Sequence, residues 1–229
     1  MKRRRVWQRI VSLLLVFVMV FTVAVIQPDV DAFAAAKTPV ATHGRLSVKG
    51  ADLVDAKGRK FQLRGVSTHG INWDVGYPYV NKAAFQTLRD DWGANAVRLA
   101  MYTSEYNGYC SGGNQLALRM QIYKGVKYAT ELGMYVIIDW HILNDGNPMT
   151  QLAQAKSFFM MMSKNFSRQN NIIYEICNEP NGCSWTSIKS YAAQVIKVIR
   201  KYDKNGIIVV GTPTWSQLGS DGTHNEVAD

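Results

Sequence analysis

The 229-residue chain is 47% hydrophobic and 19% charged, with a formal net charge of +9. Five basic and two acidic residues fall in the first 36 positions, so the remaining 193 residues carry +6 with no block of like charges, which argues against a nucleic-acid partner. Three cysteines, an odd number, admit at most one internal disulfide, and neither they nor the four scattered histidines show zinc-site spacing, so no metal or other cofactor is expected.

The N-terminus carries Lys2, Arg3, Arg4, Arg5 and Arg9, followed by an almost wholly apolar run, Ile10 to Ile26, and then the small-residue stretch Ala32-Phe33-Ala34-Ala35-Ala36. A cationic segment, an apolar core and an A-x-A site make a secretory signal peptide over 1–36, cleaved after Ala34 or Ala36. The apolar run also lies within spanning length, so a retained anchor is the alternative. The small residues favour cleavage, and with it an extracellular protein without stable membrane association.

The 193 residues from Lys37 suffice for one domain with a substantial core. Lys49 to Leu63 has the look of a hairpin, with Ala51–Val54 and Lys60–Leu63 joined by Asp55-Ala56-Lys57-Gly58. Short runs, apolar on both faces, follow at Leu63–Ser67, Ala96–Met101, Tyr135–Trp140, Ile172–Cys177 and Ile207–Gly211, the pattern of parallel strands covered by helices. Between them, Ile122/Val126/Ala129, Leu152/Ala155/Phe159/Met162/Phe166 and Ile188/Tyr191/Ala192/Val195/Ile196/Ile199 recur at helical steps. The run Phe159 to Met162 is expected to be core packing. No glycine-rich phosphate loop follows the first strand, which weakens a dinucleotide-binding sheet. Polar and aromatic residues instead collect beyond the carboxyl end of nearly every strand, as in a (β/α)8 TIM barrel.

The fourth strand ends in Glu175-Ile-Cys-Asn178-Glu179-Pro180. Pro180 cannot donate to a ladder and marks the strand's end, which places Glu179 at the mouth and Glu175 deeper, as a buried, paired structural group. A carboxylic acid at a mouth walled by aromatics can stay protonated near neutral pH, as protonating a glycosidic oxygen requires. On spacing alone, a carboxylate bridged to Arg98 fits Glu179 equally well. Cys177 is expected as a buried strand residue, with pairing to Cys183 as the alternative.

The segments Leu63–Gly70, Val97–Tyr102, Val136–Ile142, Tyr174–Gly182 and Gly211–Gln217 together resemble the bacterial endo-β-1,4-glucanases of glycoside hydrolase family 5, over roughly residues 43–229. The Asn-Glu-Pro motif alone recurs in related barrel glycosidases; five motifs in order are far more specific. The resemblance implies a barrel that hydrolyses β-1,4-glucan (cellulose) with retention. In it Glu179 matches the general acid/base, Asn178 the partner of the sugar 2-hydroxyl, and Arg98 and His141 the residues that hold and polarise the carboxylates. His69, Trp73 and Tyr102 match glycone-side groups and Trp215 a stacking platform near the leaving group. Indole suits the weakly apolar face of a pyranose; ordinary packing is the alternative for the tryptophans, as a core position is for His141.

One requirement is unmet. A retaining glycosidase needs a second carboxyl ~5 Å from the first, and in this family a glutamate ending the seventh strand supplies it. Only five parallel strands are legible, and a barrel of this kind takes ~250 residues. Glu226 falls on the helix side. The chain therefore resembles the N-terminal part of a catalytic domain, 37–229, truncated after about the fifth strand, and by itself inactive or nearly so. The complete enzyme is expected to be monomeric, with a β-glucan as its partner. The alternatives are a non-catalytic polysaccharide-binding fragment, or the same chemistry on mannan or xyloglucan.

Overall fold

The computed structural model describes residues 37–73 and 79–217; the segment 1–36 expected to be a signal peptide, and Glu226, lie outside them. A short helix α1 (Pro39–His43) leads into β1 (Ser47–Lys49) and β2 (Asp52–Val54). Then follow β3 (Gly65–Ser67), α2 (Lys82–Asp90), β4 (Ala96–Tyr102), α3 (Gln115–Glu131), β5 (Tyr135–His141), α4 (Leu152–Phe166), β6 (Ile172–Glu175), α5 (Trp185–Ile199), β7 (Ile207–Val209) and the four-residue α6 (Pro213–Ser216). A 3-10 turn, Pro148–Gln151, opens directly into α4.

Strands β3 to β7 form one parallel sheet in sequential order, β3-β4-β5-β6-β7. A doubly wound sheet reverses its strand order at a switch point, whereas a barrel adds each strand beside the last. The order therefore gives the barrel progression, with five of its strands among the described residues.

The alternation of side chains along each strand separates two layers. Val97, Leu99 and Met101 of β4, Val136, Ile138 and Trp140 of β5, and Ile172 and Tyr174 of β6 are buried against the helices. Each such side chain contributes roughly 1.5–3 kcal/mol on burial. Helix α3 supplies Ile122 and Val126, α4 supplies Phe158, Phe159 and Met162, and α5 supplies Ile188, Val195 and Ile199. Phe159 and Met162 are core, as the helical period requires, but Met160 points outward and is 41% exposed, since 100° per residue cannot bury four consecutive side chains.

Capping side chains fix the helix starts. Asn81 accepts from the Ala83 and Ala84 amides, Asn114 from Ala117, Asn147 from Met149 and Ser184 from Ser187. Gly125 lets α3 approach β4 closely, because a Cβ there would lie 2.7 and 2.8 Å from the two Leu99 methyls.

The N-terminal hairpin differs from its expected form. Asp52–Val54 pairs with Ser47–Lys49 across a turn containing Gly50, whose φ is +62°. The expected partner run also pairs, but briefly, through the bridge of Val54 to Lys60 and the Phe61 amide on the Leu53 carbonyl at 2.8 Å. Asp55 takes the Lys57 and Arg59 amides on one oxygen and the Arg59 guanidinium on the other, tightening that turn. Phe61 and Leu63 then pack with Leu46, Ala96 and Tyr135 at the amino-terminal end of the sheet. Helix α2 went unforeseen because Phe85 is its one fully buried side chain.

Candidate active site

Arg98, Ala100 and Tyr102 share one face of β4, and Ile137, Asp139 and His141 the matching face of β5, opposite to the helix-packed residues. Asp139 is in register with Ala100 on one side and Glu175 on the other. From this face the Arg98 guanidinium takes Glu175 in a fork, Nε to Oε2 at 2.7 Å and Nη2 to Oε1 at 2.8 Å. The same Nη2 donates to Asn178 Oδ1 at 2.7 Å and lies 3.0 Å from Asp139 Oδ2. Planar, bidentate pairing of this kind is what arginine offers and lysine does not.

His141 extends the cluster. Its Nδ1 is 2.6 Å from Asp139 Oδ2 and its Nε2 is 3.2 Å from Asn178 Nδ2. The Asn178 amide also donates to the Ile142 carbonyl at 3.1 Å. Burial and then the Arg98 charge pull the His141 imidazole down to about 4, so it is neutral at pH 7. Asp139 is fully buried; burial, with the Glu175 charge beside it, pushes its carboxyl well above the ordinary range, against the opposing pull of Arg98.

Glu179 follows directly after Asn178 and before Pro180, beyond the carboxyl end of β6. It is half-buried and has no hydrogen-bond or ion-pair partner among the described residues. Its negative charge is nonetheless felt at Arg98, Tyr102, Asp139 and His141. The bridge between Glu179 and Arg98 that spacing allowed is absent, because Glu175 and Asp139 hold the guanidinium. Glu175 is paired as expected, but only partly buried, its side chain 14% exposed.

An aromatic row leads away from this cluster. Tyr102 lies 4.0 Å from the His141 ring centroid and 6.0 Å from His69, stacked; His69 is 4.4 Å from Trp73, and Trp73 is 5.6 Å from Tyr102. Gly70 makes the row possible, since a Cβ there would meet the Tyr102 ring at 2.8 Å. Trp215 stands apart from the row. It is 45% exposed, at a left-handed φ of +54°, with its amide on the Pro180 carbonyl at 3.0 Å. Its backbone is thus tied to Pro180, the residue after Glu179.

The structure thus brings Arg98, His141, Asn178, Tyr102, His69 and Trp73 together, with Glu179 close enough for its charge to act on Arg98 and His141, and leaves Trp215 outside this group. Sequence reasoning missed Asp139. Its signal was a single acid two residues before His141 in an otherwise apolar strand. The three cysteines are free: the Cys177 thiol lies against the Gly211 carbonyl and the Cys183 thiol against the Gly146 carbonyl.

A parallel sheet in sequential order, with its polar groups gathered toward the carboxyl end of the strands, defines part of a (β/α)8 barrel. The chain belongs to glycosyl hydrolase family 5, the cellulase family, whose model matches residues 54–228. It is 52% identical over 178 residues to endoglucanase A of Butyrivibrio fibrisolvens, which covers 76% of this chain and 40% of that protein. To an endoglucanase of Clostridium saccharobutylicum it is 46% identical over 207 residues, 90% of this chain and 44% of the relative. Among solved structures, the catalytic domain of Thermobifida fusca endoglucanase Cel5A superposes with a TM-score of 0.76 at 42% identity, over 82% of this chain and 60% of that one. A variant of the same domain was solved in complex with cellotetraose. The chain thus spans about four tenths of the length of these curated relatives.

Proposed function

We propose that this chain carries the acid/base half of an exported endo-β-1,4-glucanase that acts with retention, with Glu179 as the general acid/base. The observation that carries this reading is the contrast within the site. Arg98, Asp139, Glu175, His141 and Asn178 are all engaged with one another, whereas the Glu179 carboxyl has no partner among the described residues. A group that must give a proton to a glycosidic oxygen and later take one from water has to be free to meet its ligand. The Tyr102–His69–Trp73 row supplies ring faces for glycone sugars, Asn178 a polar contact for the sugar at the cleavage point, and Trp215 a face for the leaving group. The cellotetraose complex of the Thermobifida fusca domain supports a β-glucan as ligand. The cationic segment, apolar run and A-x-A site of residues 1–36 support export.

Retention needs a nucleophilic carboxylate ~5 Å from the acid/base. Glu175 is held in the Arg98 fork and Asp139 is fully buried, so neither is available for attack. We therefore expect the 229-residue chain alone to show only background hydrolysis of carboxymethylcellulose. Residues 37–217 grafted in place of the segment they match in the Thermobifida fusca domain should hydrolyse it, and Glu179→Gln in that graft should abolish turnover. Robust turnover by the chain alone would show that another of its groups is the nucleophile. Glucan binding without turnover in the graft, unchanged by Glu179→Gln, would favour a binding role. Faster turnover on mannan or xyloglucan would reassign the substrate.

A further inference from the structure

We infer that Asp139 is a positioning residue: it holds His141 as the Nδ1–H tautomer, and through His141 it locks the amide of Asn178 beside Glu179. The polarity of the whole network follows from two groups that have no choice. Arg98 can only donate, and its Nη2 is 2.7 Å from one end of the Asn178 amide, so that end is the oxygen. The Ile142 carbonyl can only accept, and it is 3.1 Å from the other end, so that end is the nitrogen. The two anchors are independent and agree.

With Nδ2 facing it at 3.2 Å, His141 Nε2 must be the acceptor. A neutral imidazole with an unprotonated Nε2 carries its hydrogen on Nδ1. That hydrogen points to Asp139 Oδ2 at 2.6 Å. The 3.5 Å approach of Arg98 Nη1 to the same Nδ1 is then donor against donor and contributes no bond. Asp139 Oδ2 is thus an acceptor for the ring and a counter-charge for Arg98 together, while its Oδ1 is buried with no partner among the described residues.

The opposite tautomer would set Nε2–H against the Asn178 Nδ2 hydrogens. Relieving that clash by turning the amide would bring its nitrogen onto Arg98. Every alternative thus costs at least one buried hydrogen bond, and an unmet buried donor costs about 1–3 kcal/mol. Asn178 directly precedes Glu179, so the amide lock also fixes the chain at the residue before Glu179. The tautomer assignment holds whatever ligand the site takes; only its consequence for turnover rests on the function proposed above.

Nitrogen-15 NMR of the full chain labelled at histidine tests this, with the His141 signals identified by their loss in His141→Gln. At pH 7 His141 should show the Nδ1–H pattern. Asp139→Ala should shift it to the Nε2–H form or to a mixture. Asp139→Asn should keep Nδ1–H, because the Arg98 charge draws the amide oxygen into the place of Oδ2. A wild-type His141 that is Nε2–H or doubly protonated would overturn the proposal, as would a pattern unmoved in Asp139→Ala or lost in Asp139→Asn. Should Asp139→Ala not fold, the wild type and Asp139→Asn decide the matter.

Discussion

Arg98 is the cation on which Glu175 and Asp139 depend, and its side chain is only 20% exposed, against 14% and 0% for the two acids. Removing one member of such a buried set leaves uncompensated charge, which typically costs about 3–5 kcal/mol. Arg98→Met should therefore lower the unfolding free energy by about that much in urea titration; a loss below 1 kcal/mol would mean that water already screens the cluster. The same site shows what a sequence discloses at this scale. His141 and Asn178 were legible because each is a polar side chain at or just beyond the carboxyl end of an apolar strand, and Arg98 because it is a lone charge within one. Asp139 lies one layer below His141, and a single carboxylate there gives no sign of which neighbour it serves. That depended on β5 register, which places it between Ala100 and Glu175. Glu179 was ambiguous until Arg98 proved to be occupied.

Among the elements, β4, β5 and helices α3 to α5 were legible because their apolar periods are long and regular. The β1–β2 pairing was not, since two turns lie close together and the choice between partners depends on Phe61 and Leu63 reaching the base of the sheet. Helix α2 carries too narrow a buried stripe to stand out. Close helix–strand packing, invisible in periodicity, makes a further expectation. Gly125→Ala would gain up to about 1 kcal/mol of helix propensity but drive a methyl into both Leu99 methyls, and overpacking typically costs about 1–3 kcal/mol. The net effect should be a fall in Tm of about 2–4 °C, reversed when Leu99→Val is added; a rise in Tm would show that α3 shifts freely. At β7, a Cβ on Gly211 would meet the Asn178 and Cys177 carbonyls at 2.5 and 2.6 Å. These are backbone atoms, so Gly211→Ala must displace the Asn178–Glu179 segment. In the graft it should reduce kcat far more than Tm would suggest.

For the molecule as a whole, the buried ionisable groups set the response to acid. His141 is held near 4 against an ordinary 6.5, so between those values the unfolded chain binds a proton that the native state refuses, and stability falls as pH drops from about 6.5 to 4. Asp55, held below the ordinary carboxylate range first by Arg59, against opposing burial, with further help from His43, adds a loss below about pH 4. Asp139 acts in the opposite sense, because its raised carboxyl favours the native state as pH falls toward 3.8. From pH 7 to 4.5 the denaturant midpoint of the wild type should therefore fall further, or rise less, than that of His141→Gln; an identical pH dependence in both would remove His141 from this account.

The most direct measurement concerns Glu179. In the graft that carries residues 37–217, Glu179→Gln should lower kcat/KM on carboxymethylcellulose by about 10²–10⁴-fold, the usual contribution of general acid/base catalysis. On a dinitrophenyl cellobioside, whose leaving group departs without a proton, release of dinitrophenol in the first turnover should be far less affected. An equal loss on both substrates, or none on either, would contradict the assignment of Glu179 as the acid/base.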